Sequence, residues 1–131
     1  MPHIWVEYSA NIEKELEVPR FMEAVQLASV GDGRVFPFAG TRVRAVSVRQ
    51  YLIADGHPDN AFVHVLIRIG HGRSQAEKEA LGARAYRAVE AYLAPMMGRR
   101  PLGISLQVEE ADPVLNYKAS NYRDYLKVRS P

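Results

Sequence analysis

A strand–helix–strand pattern of hydrophobicity occurs twice along this chain, and the repetition restricts the fold more than any other feature. In the first half, apolar and polar side chains alternate at residues 4–8, which predicts a strand. A polar link at residues 9–17 leads to a helix predicted from about 19–31, since Pro is favoured at a helix start and Gly at its end. A long second strand is predicted at residues 41–54, and a dense cluster of turn-forming residues follows at 55–60.

The second half repeats this order. Residues 61–69 are nearly all apolar, which predicts a strand covered on both faces. Ser74 with Glu77 three residues later is a capping-box signature, and the apolar stripe that follows it predicts a helix. Alternation at residues 102–109 predicts the last strand.

The repetition predicts an α/β fold, classed as α+β in some schemes, with two tandem β-α-β units. Parallel strands need a helical crossover, so the two units would form a four-stranded sheet with two helices on one face. The other face would need a partner, which an oligomer can supply. We expect a single domain at 1–131, with halves at about 2–56 and 60–111 and a C-terminal arm at 112–131 that forms a short helix or packs on a neighbouring subunit.

Composition excludes several classes of function. The chain has no cysteine, which excludes disulfides, thiol nucleophiles and thiolate metal sites and fits a reducing compartment. Its 17 basic and 15 acidic residues are scattered, so no nucleic-acid partner is expected. No stretch has the length and character of a membrane span or a signal peptide, so a cytoplasmic protein with no membrane partner is expected.

Metal and cofactor sites are not expected either. The four histidines lack the paired spacing that places two ligands on one face: His3, His57, His64 and His71. His64, in an apolar strand, is predicted to be a satisfied core histidine. The segment 70–72 matches neither the phosphate-loop nor the dinucleotide fingerprint, and no serine has the surroundings of a nucleophile elbow.

Pro2 is the first candidate for chemistry. Removal of Met1 would leave Pro2 with a free secondary amine at the end of a strand, and α-amino groups titrate at about 7.7 to 8.0. Arg73, at the predicted helix start, would bind a carboxylate together with the helix dipole, although such an arginine is more often a solvated surface residue. Arg42 and Arg44, on one face of the second strand, would either bind anions or protect an exposed edge.

Six short sequence segments, called blocks below, together indicate the relationship of this chain more specifically than any of these residues alone. They occur at residues 1–7, 36–42, 54–56, 62–64, 69–74 and 115–118. In sequence and order these blocks resemble the 5-carboxymethyl-2-hydroxymuconate delta-isomerase family of the tautomerase superfamily. The resemblance extends from residue 2 to about residue 121.

The resemblance implies a homotrimer with active sites at subunit boundaries and a reaction without a cofactor. It implies that Pro2 is the general acid/base, and that Arg42 and Arg73 bind the carboxylates and the 2-hydroxy or 2-oxo oxygen of the substrate. Phe36, Phe38 and Phe62 would form apolar walls for this dicarboxylate or tricarboxylate, although core packing is the commoner fate of such residues. The implied reaction converts a 2-hydroxymuconate dienol into its conjugated 2-oxo form during aromatic-acid catabolism, such as the homoprotocatechuate pathway. Two cations beside the amine would lower its pKa and keep it unprotonated.

Three alternatives remain open at this point. While Met1 is attached, the nitrogen of Pro2 is an amide and cannot be a base, so the chain would be a non-catalytic trimeric carboxylate-binding protein. Hydratase and dehalogenase chemistry is also known with the same fold and the same terminal proline. A regulatory or nucleic-acid-binding module would need a clustered basic or aromatic surface, which the sequence lacks.

Overall fold

The structure is a computed structural model, and it describes residues 1–129. Four strands and four helices follow one another along these residues, with two short 3-10 turns at Ala10–Ile12 and Phe38–Gly40. In chain order they are β1 (His3–Ser9), α1 (Glu13–Leu16), α2 (Val18–Val30), β2 (Arg42–Val48), β3 (Ala61–Ile69), α3 (Gln75–Met97), β4 (Leu102–Glu110) and α4 (Tyr122–Arg129).

The four strands form one mixed sheet in the order β2-β1-β3-β4. β1 is parallel to β2 and β3 is parallel to β4, so each pair is joined by a helical crossover, α2 in the first half and α3 in the second. The two halves meet at the antiparallel pair of β1 and β3. The predicted α+β fold with two β-α-β units is therefore confirmed.

The core lies between one face of the sheet and the two crossover helices. Alternate residues of β1 and β3 are fully buried there, as the period of a strand requires. The largest fully buried side chains of this core include Phe21, Phe36, Ile4, Ile67, Leu81 and Leu93. The side chain of Arg84 on α3 donates to the carbonyls of Ala28 and Ser29 at 2.6 and 3.0 Å, which ties α3 to the end of α2.

The prediction of a polar link at residues 9–17 was wrong. This segment contains a 3-10 turn and the short helix α1, and the side chains of Ile12 and Leu16 are both fully buried. Their spacing of four residues puts them on one face of a helical turn, so two apolar residues anchor an otherwise polar segment. Glu17 then takes a left-handed conformation (φ 50°) that separates α1 from α2.

The predicted second strand was too long. β2 ends at Val48, whose register partner is Ser9, the last residue of β1. Beyond Val48, β1 offers no further backbone for a parallel ladder, so the chain leaves the sheet. The side-chain amide of Asn60 closes the turn that follows, by donating to the carbonyl of Ile53 at 3.0 Å and to Asp55 at 2.8 Å.

The sheet face opposite the helices is only partly covered within one chain. The residues of β3 on this outer face are half-buried or exposed, so the prediction that β3 is covered on both faces is not met by a single chain. The predicted short C-terminal helix is present as α4, and residues 130–131 of the predicted arm lie outside the described part of the chain. Throughout residues 1–129, every helix is too short or too polar to cross a membrane.

Candidate active site

The N-terminus lies at the head of β1, in the interior of the sheet. Pro2 is buried, and its carbonyl accepts the backbone N–H of Arg42 at 3.1 Å, which fixes it beside β2. Met1 packs against Gly40 so closely that a Cβ built on this glycine would lie 3.1 Å from Met1 Cγ. Met1 lines two adjacent cavities of about 290 and 380 Å³, and Pro2 lines neither of them. Removal of Met1 would therefore open the space in front of the Pro2 nitrogen.

Three cationic side chains act on the terminal amine. Burial, followed by the positive charges of Lys118, Arg73 and Arg42, lowers the pKa of the Met1 amine from 8.0 to about 6. The three side chains come from separate parts of the chain: the segment after β4, the loop before α3, and the start of β2. The structure thus brings the predicted Arg42 and Arg73 to the head of β1, where Pro2 lies.

Arg73 is held in place by the core behind it. Its Nη2 donates to the carbonyl of Val35 at 3.2 Å, and its guanidinium lies 5.2 Å from the ring centre of Phe36. The capping box predicted immediately after it is confirmed, since Glu77 N–H donates to Ser74 Oγ at 3.1 Å and Ser74 N–H donates to Glu77 Oε1 at 2.9 Å. The guanidinium of Arg73 therefore projects from a well-anchored helix start.

Phe36 and Phe38, two of the predicted phenylalanines, differ in environment. Phe36 is 1% exposed and belongs to the core, so it reaches the site through its contact with Arg73. Phe38 is 48% exposed and lies in the 3-10 turn just before β2, near the start of the strand that carries Arg42. Contact of either ring with a substrate stays a prediction.

His3 lies between two arginines on the outer face of the sheet and accepts a hydrogen bond from one of them. Its Nδ1 accepts from Arg44 Nη2 at 2.7 Å, and its Nε2 lies 3.5 Å from Arg42 Nη1. Burial, and then Arg44 and Arg42, lower the pKa of the imidazole, so His3 is neutral at neutral pH. A neutral imidazole that accepts at Nδ1 carries its proton on Nε2, on the side of Arg42.

Sequence reasoning gave no role to Lys118 or His3, and it left Arg44 open between anion binding and protection of an edge strand. Lys118 follows β4 by eight residues, and only the tertiary fold brings it to the N-terminus. The sequence did indicate that His3 and Arg44 lie on the outer face of the sheet, because both alternate with the inward-facing residues of their strands. The parallel register then pairs His3 with Arg42 and Trp5 with Arg44. The pairing of the strands had to be known before this signal could be read.

The histidines do not form a metal site. Within residues 1–129, no group of three or more His, Cys, Asp or Glu side chains is placed to hold a metal ion. The prediction of a core position for His64 was wrong: this residue is half-buried on the outer face of β3, with Nδ1 2.7 Å from Ser105 Oγ. The candidate site consists of an amine at the end of β1 with three cationic side chains around it. This arrangement is suited to moving a proton on a bound carboxylic acid.

Comparison with known proteins gave consistent matches over nearly the whole chain. The model of the 5-carboxymethyl-2-hydroxymuconate isomerase family matches residues 2–126. The chain is 35% identical to 5-carboxymethyl-2-hydroxymuconate Delta-isomerase of Escherichia coli over 97% of this chain and 100% of that protein.

Solved structures of proteins with the same description are also similar. A crystal structure of 5-carboxymethyl-2-hydroxymuconate delta-isomerase matches with a TM-score of 0.85 and 31% identity, over 96% of this chain and 93% of that one. The isomerase from Deinococcus radiodurans R1 matches with a TM-score of 0.88 and 28% identity, over 95% and 92%. A structure described as "Q0 fused 4-OT wild type symmetric trimer" shares the fold, with a TM-score of 0.64 and 21% identity over 91% and 92%.

Proposed function

Because the chain belongs to the 5-carboxymethyl-2-hydroxymuconate isomerase family, we propose that it converts a 2-hydroxymuconate dienol into the conjugated 2-oxo form through the amine of Pro2. Membership of this family confirms the resemblance found in the sequence and makes the chain an isomerase of the tautomerase superfamily. The roles of individual residues are part of the proposal.

One observation carries these roles: Lys118, Arg73 and Arg42 converge on the amine of Met1 at the head of β1, and burial together with these three charges lowers the pKa of that amine to about 6. Once Met1 is removed, the Pro2 nitrogen becomes the terminal amine in the same cationic surroundings. An amine with a lowered pKa is largely unprotonated at neutral pH, and its conjugate acid is still strong enough to return the proton.

The reaction needs a single proton carrier. The Pro2 nitrogen takes the proton of the 2-hydroxyl, the O–H bond becomes C=O, the double bonds shift along the chain, and the same proton is delivered to the far carbon of the dienol. Arg42 and Arg73 hold the carboxylates and balance the charge that develops on the 2-oxygen, because guanidinium groups bind carboxylates in bidentate fashion. Every proton and electron pair is accounted for within the substrate and Pro2.

We also propose a homotrimer in the cytoplasm. The partly covered outer face of the sheet needs a partner, and proteins of the same fold include structures described as trimers. Subunit boundaries near the head of β1 would place a neighbour beside Pro2. A role in aromatic-acid catabolism accompanies the proposed substrate.

Replacement of Pro2 with Ala tests the proposal. The variant keeps a free terminal amine after processing, but loses the rigid secondary amine, and we expect kcat for ketonisation of 5-carboxymethyl-2-hydroxymuconate to fall by at least about 10-fold. Arg87→Gln is a suitable control, since Arg87 is exposed on α3 and donates within its own helix. Mass spectrometry should show that Met1 is absent from all three proteins. Near-normal turnover by processed Pro2→Ala would contradict the assignment of Pro2 as the base.

A non-catalytic carboxylate-binding protein is the second candidate. It would result from retention of Met1, because the Pro2 nitrogen would then be an amide and Met1 would line both cavities. Retention of Met1 in protein purified from its native host would support this candidate over the isomerase, and the mass of the intact chain decides between them.

A further inference from the structure

Gly70 leaves an opening in front of the terminal amine. The antiparallel register pairs Arg68 with His3, so Gly70, directly after β3, lies beside the start of β1. A Cβ built on this glycine would lie 3.1 Å from Arg73 Nη1, 3.8 Å from Lys118 Nζ and 3.9 Å from the Met1 nitrogen. Because residue 70 has no side chain, a bound molecule can rest on its Cα and lie close to all three nitrogen atoms.

The three cations at this opening differ in how the protein holds them. Arg73 Nη2 donates to the carbonyl of Val35 at 3.2 Å, and Arg42 Nη1 donates to the carbonyl of Gly40 at 3.5 Å. The ammonium of Lys118 has no hydrogen-bond or ion-pair partner among residues 1–129. All the donors of Lys118 are therefore available to a substrate.

The chemistry of the cations also differs. A planar guanidinium matches the two oxygens of a carboxylate, whereas a compact ammonium acts as a point charge on a single acceptor. The proposed substrate offers both kinds of acceptor, since it carries carboxylates and one oxygen on carbon 2. This difference favours Arg42 and Arg73 as partners of the carboxylates and Lys118 as the partner of the 2-oxygen.

The 2-oxygen must also lie beside the amine, because the amine takes its proton. After burial, the charge of Lys118 lowers the pKa of the Met1 amine more than the charges of Arg73 and Arg42 do. The Pro2 nitrogen is separated from the Met1 nitrogen only by the Cα and the carbonyl carbon of Met1, so it lies in the same surroundings. Lys118 is therefore the cation best placed to act on the oxygen that loses the proton.

We propose that Lys118 is a catalytic residue that donates a hydrogen bond to the 2-oxygen of the substrate and stabilises the negative charge that forms there. As the O–H bond breaks, its proton moves to the Pro2 nitrogen and its electron pair stays on the oxygen, beside the ammonium of Lys118. The amine then delivers the proton to the far carbon while the C=O bond forms, and Lys118 keeps its own protons throughout. The inference rests on the proposed function and adds a third residue, which takes most of the charge on the 2-oxygen.

Lys118→Met, assayed at pH 9 on protein without Met1, separates this role from an effect on the ionisation of the amine. At pH 9 an amine with the ordinary pKa of 8.0 is already about 90% unprotonated, so a change in its pKa has little effect. We expect kcat for ketonisation of 5-carboxymethyl-2-hydroxymuconate to fall by at least about 10-fold, because the variant loses an oxyanion donor. Lys14→Met, exposed on α1, should leave kcat unchanged. A wild-type kcat in Lys118→Met would overturn the inference.

Two unreactive acids separate contact with the 2-oxygen from contact with a carboxylate. 2-Hydroxyadipate and adipate differ only in the 2-hydroxyl group, and calorimetric titration at pH 9 measures the affinity of each. The wild type should bind 2-hydroxyadipate about 10-fold more tightly than adipate, as expected for a hydrogen bond to a charged group. In Lys118→Met this preference should fall below about threefold, while the affinity for adipate is kept, which also shows that the variant is folded.

The two proposals fail in different ways. Equal affinity of the wild type for the two acids would overturn the role of Lys118. An equal loss of affinity for both acids in Lys118→Met would also overturn it, because Lys118 would then bind a carboxylate. Absence of turnover of the dienol by the wild type would overturn the proposed function instead, and the titrations would still decide whether Lys118 contacts the 2-oxygen.

Discussion

Replacement of Lys118 with Met should shift the pH dependence of catalysis. Among the charges that lower the pKa of the terminal amine, Lys118 acts most strongly, after burial and ahead of Arg73 and Arg42. Without this cation the protonated amine is less disfavoured, so its pKa should rise toward the ordinary value. The acidic limb of the kcat/KM profile, which reports the ionisation of the free enzyme, should move to higher pH.

The amine of Met1, which lies in the same cationic surroundings as Pro2, sets the scale of the effect. With a pKa of about 6 an amine is about 90% unprotonated at pH 7, and with the ordinary value of 8.0 it is about 10% unprotonated. Loss of the whole shift would therefore reduce the unprotonated form about tenfold. Burial and the two arginines remain in the variant, so we expect a loss of about two- to fourfold at pH 7.

The assay is the ratio of kcat/KM at pH 7 to kcat/KM at pH 9, measured with 5-carboxymethyl-2-hydroxymuconate on protein without Met1. Using a ratio cancels any loss of substrate binding that is the same at both pH values. Lys14→Met is the matched control, because Lys14 is exposed on α1, beyond the opposite end of β1 and about 20 Å or more from the amine. An unchanged ratio in Lys118→Met, or a shift of the acidic limb to lower pH, would refute the electrostatic reasoning.

Other predictions concern the scaffold and its pH dependence, with free energies of unfolding measured at one fixed protein concentration. Val65→Ala, at a fully buried position of β3, should destabilise the protein by about 2 kcal/mol in denaturant unfolding. Arg84→Gln loses two hydrogen bonds to carbonyls at the end of α2, at 2.6 and 3.0 Å, and should cost about 2 kcal/mol in the same assay. Gly40→Ala should lower the melting temperature only of the form that retains Met1, because the new Cβ meets the Met1 side chain. In the form that retains Met1, folding lowers the pKa of the terminal amine and the pKa of His3, so the unfolded chain binds more protons than the folded chain. The free energy of unfolding should therefore rise with pH between about 6 and 8.0, which calorimetry at several pH values would show.

The fold was largely predictable from the sequence, because the periodicity of apolar residues determines which segments form strands and which form helices. β3 was predicted at its observed bounds, since Val, Ile and Phe dominate residues 61–69, and the helix start at Ser74 was predicted from side chains that bond within four residues. α1 was missed because only Ile12 and Leu16 mark it, and their burial depends on a core assembled from distant elements.

The site was predictable only in part, because its residues come from separate parts of the chain. Pro2, Arg42 and Arg73 were recognised because they lie in sequence blocks shared with a family. Lys118 also lies in such a block, and Arg44 was a candidate for anion binding, but their positions near the amine depend on the tertiary fold and on strand register, which local patterns do not specify. Residues brought together by tertiary structure become visible as a site only when the sheet is assembled.

The central claim, that the amine of Pro2 is the base, is tested most directly with two forms of the same sequence. Protein with Met1 removed and protein that retains Met1 should be prepared separately, verified by mass spectrometry, and assayed for ketonisation of 5-carboxymethyl-2-hydroxymuconate. The two forms share every side chain of the site except Met1 itself, which ends in an amine whose own pKa is about 6. We predict that kcat/KM of the form that retains Met1 is lower by at least about 100-fold, the usual contribution of a general base. Equal values of kcat/KM for the two forms would contradict the assignment.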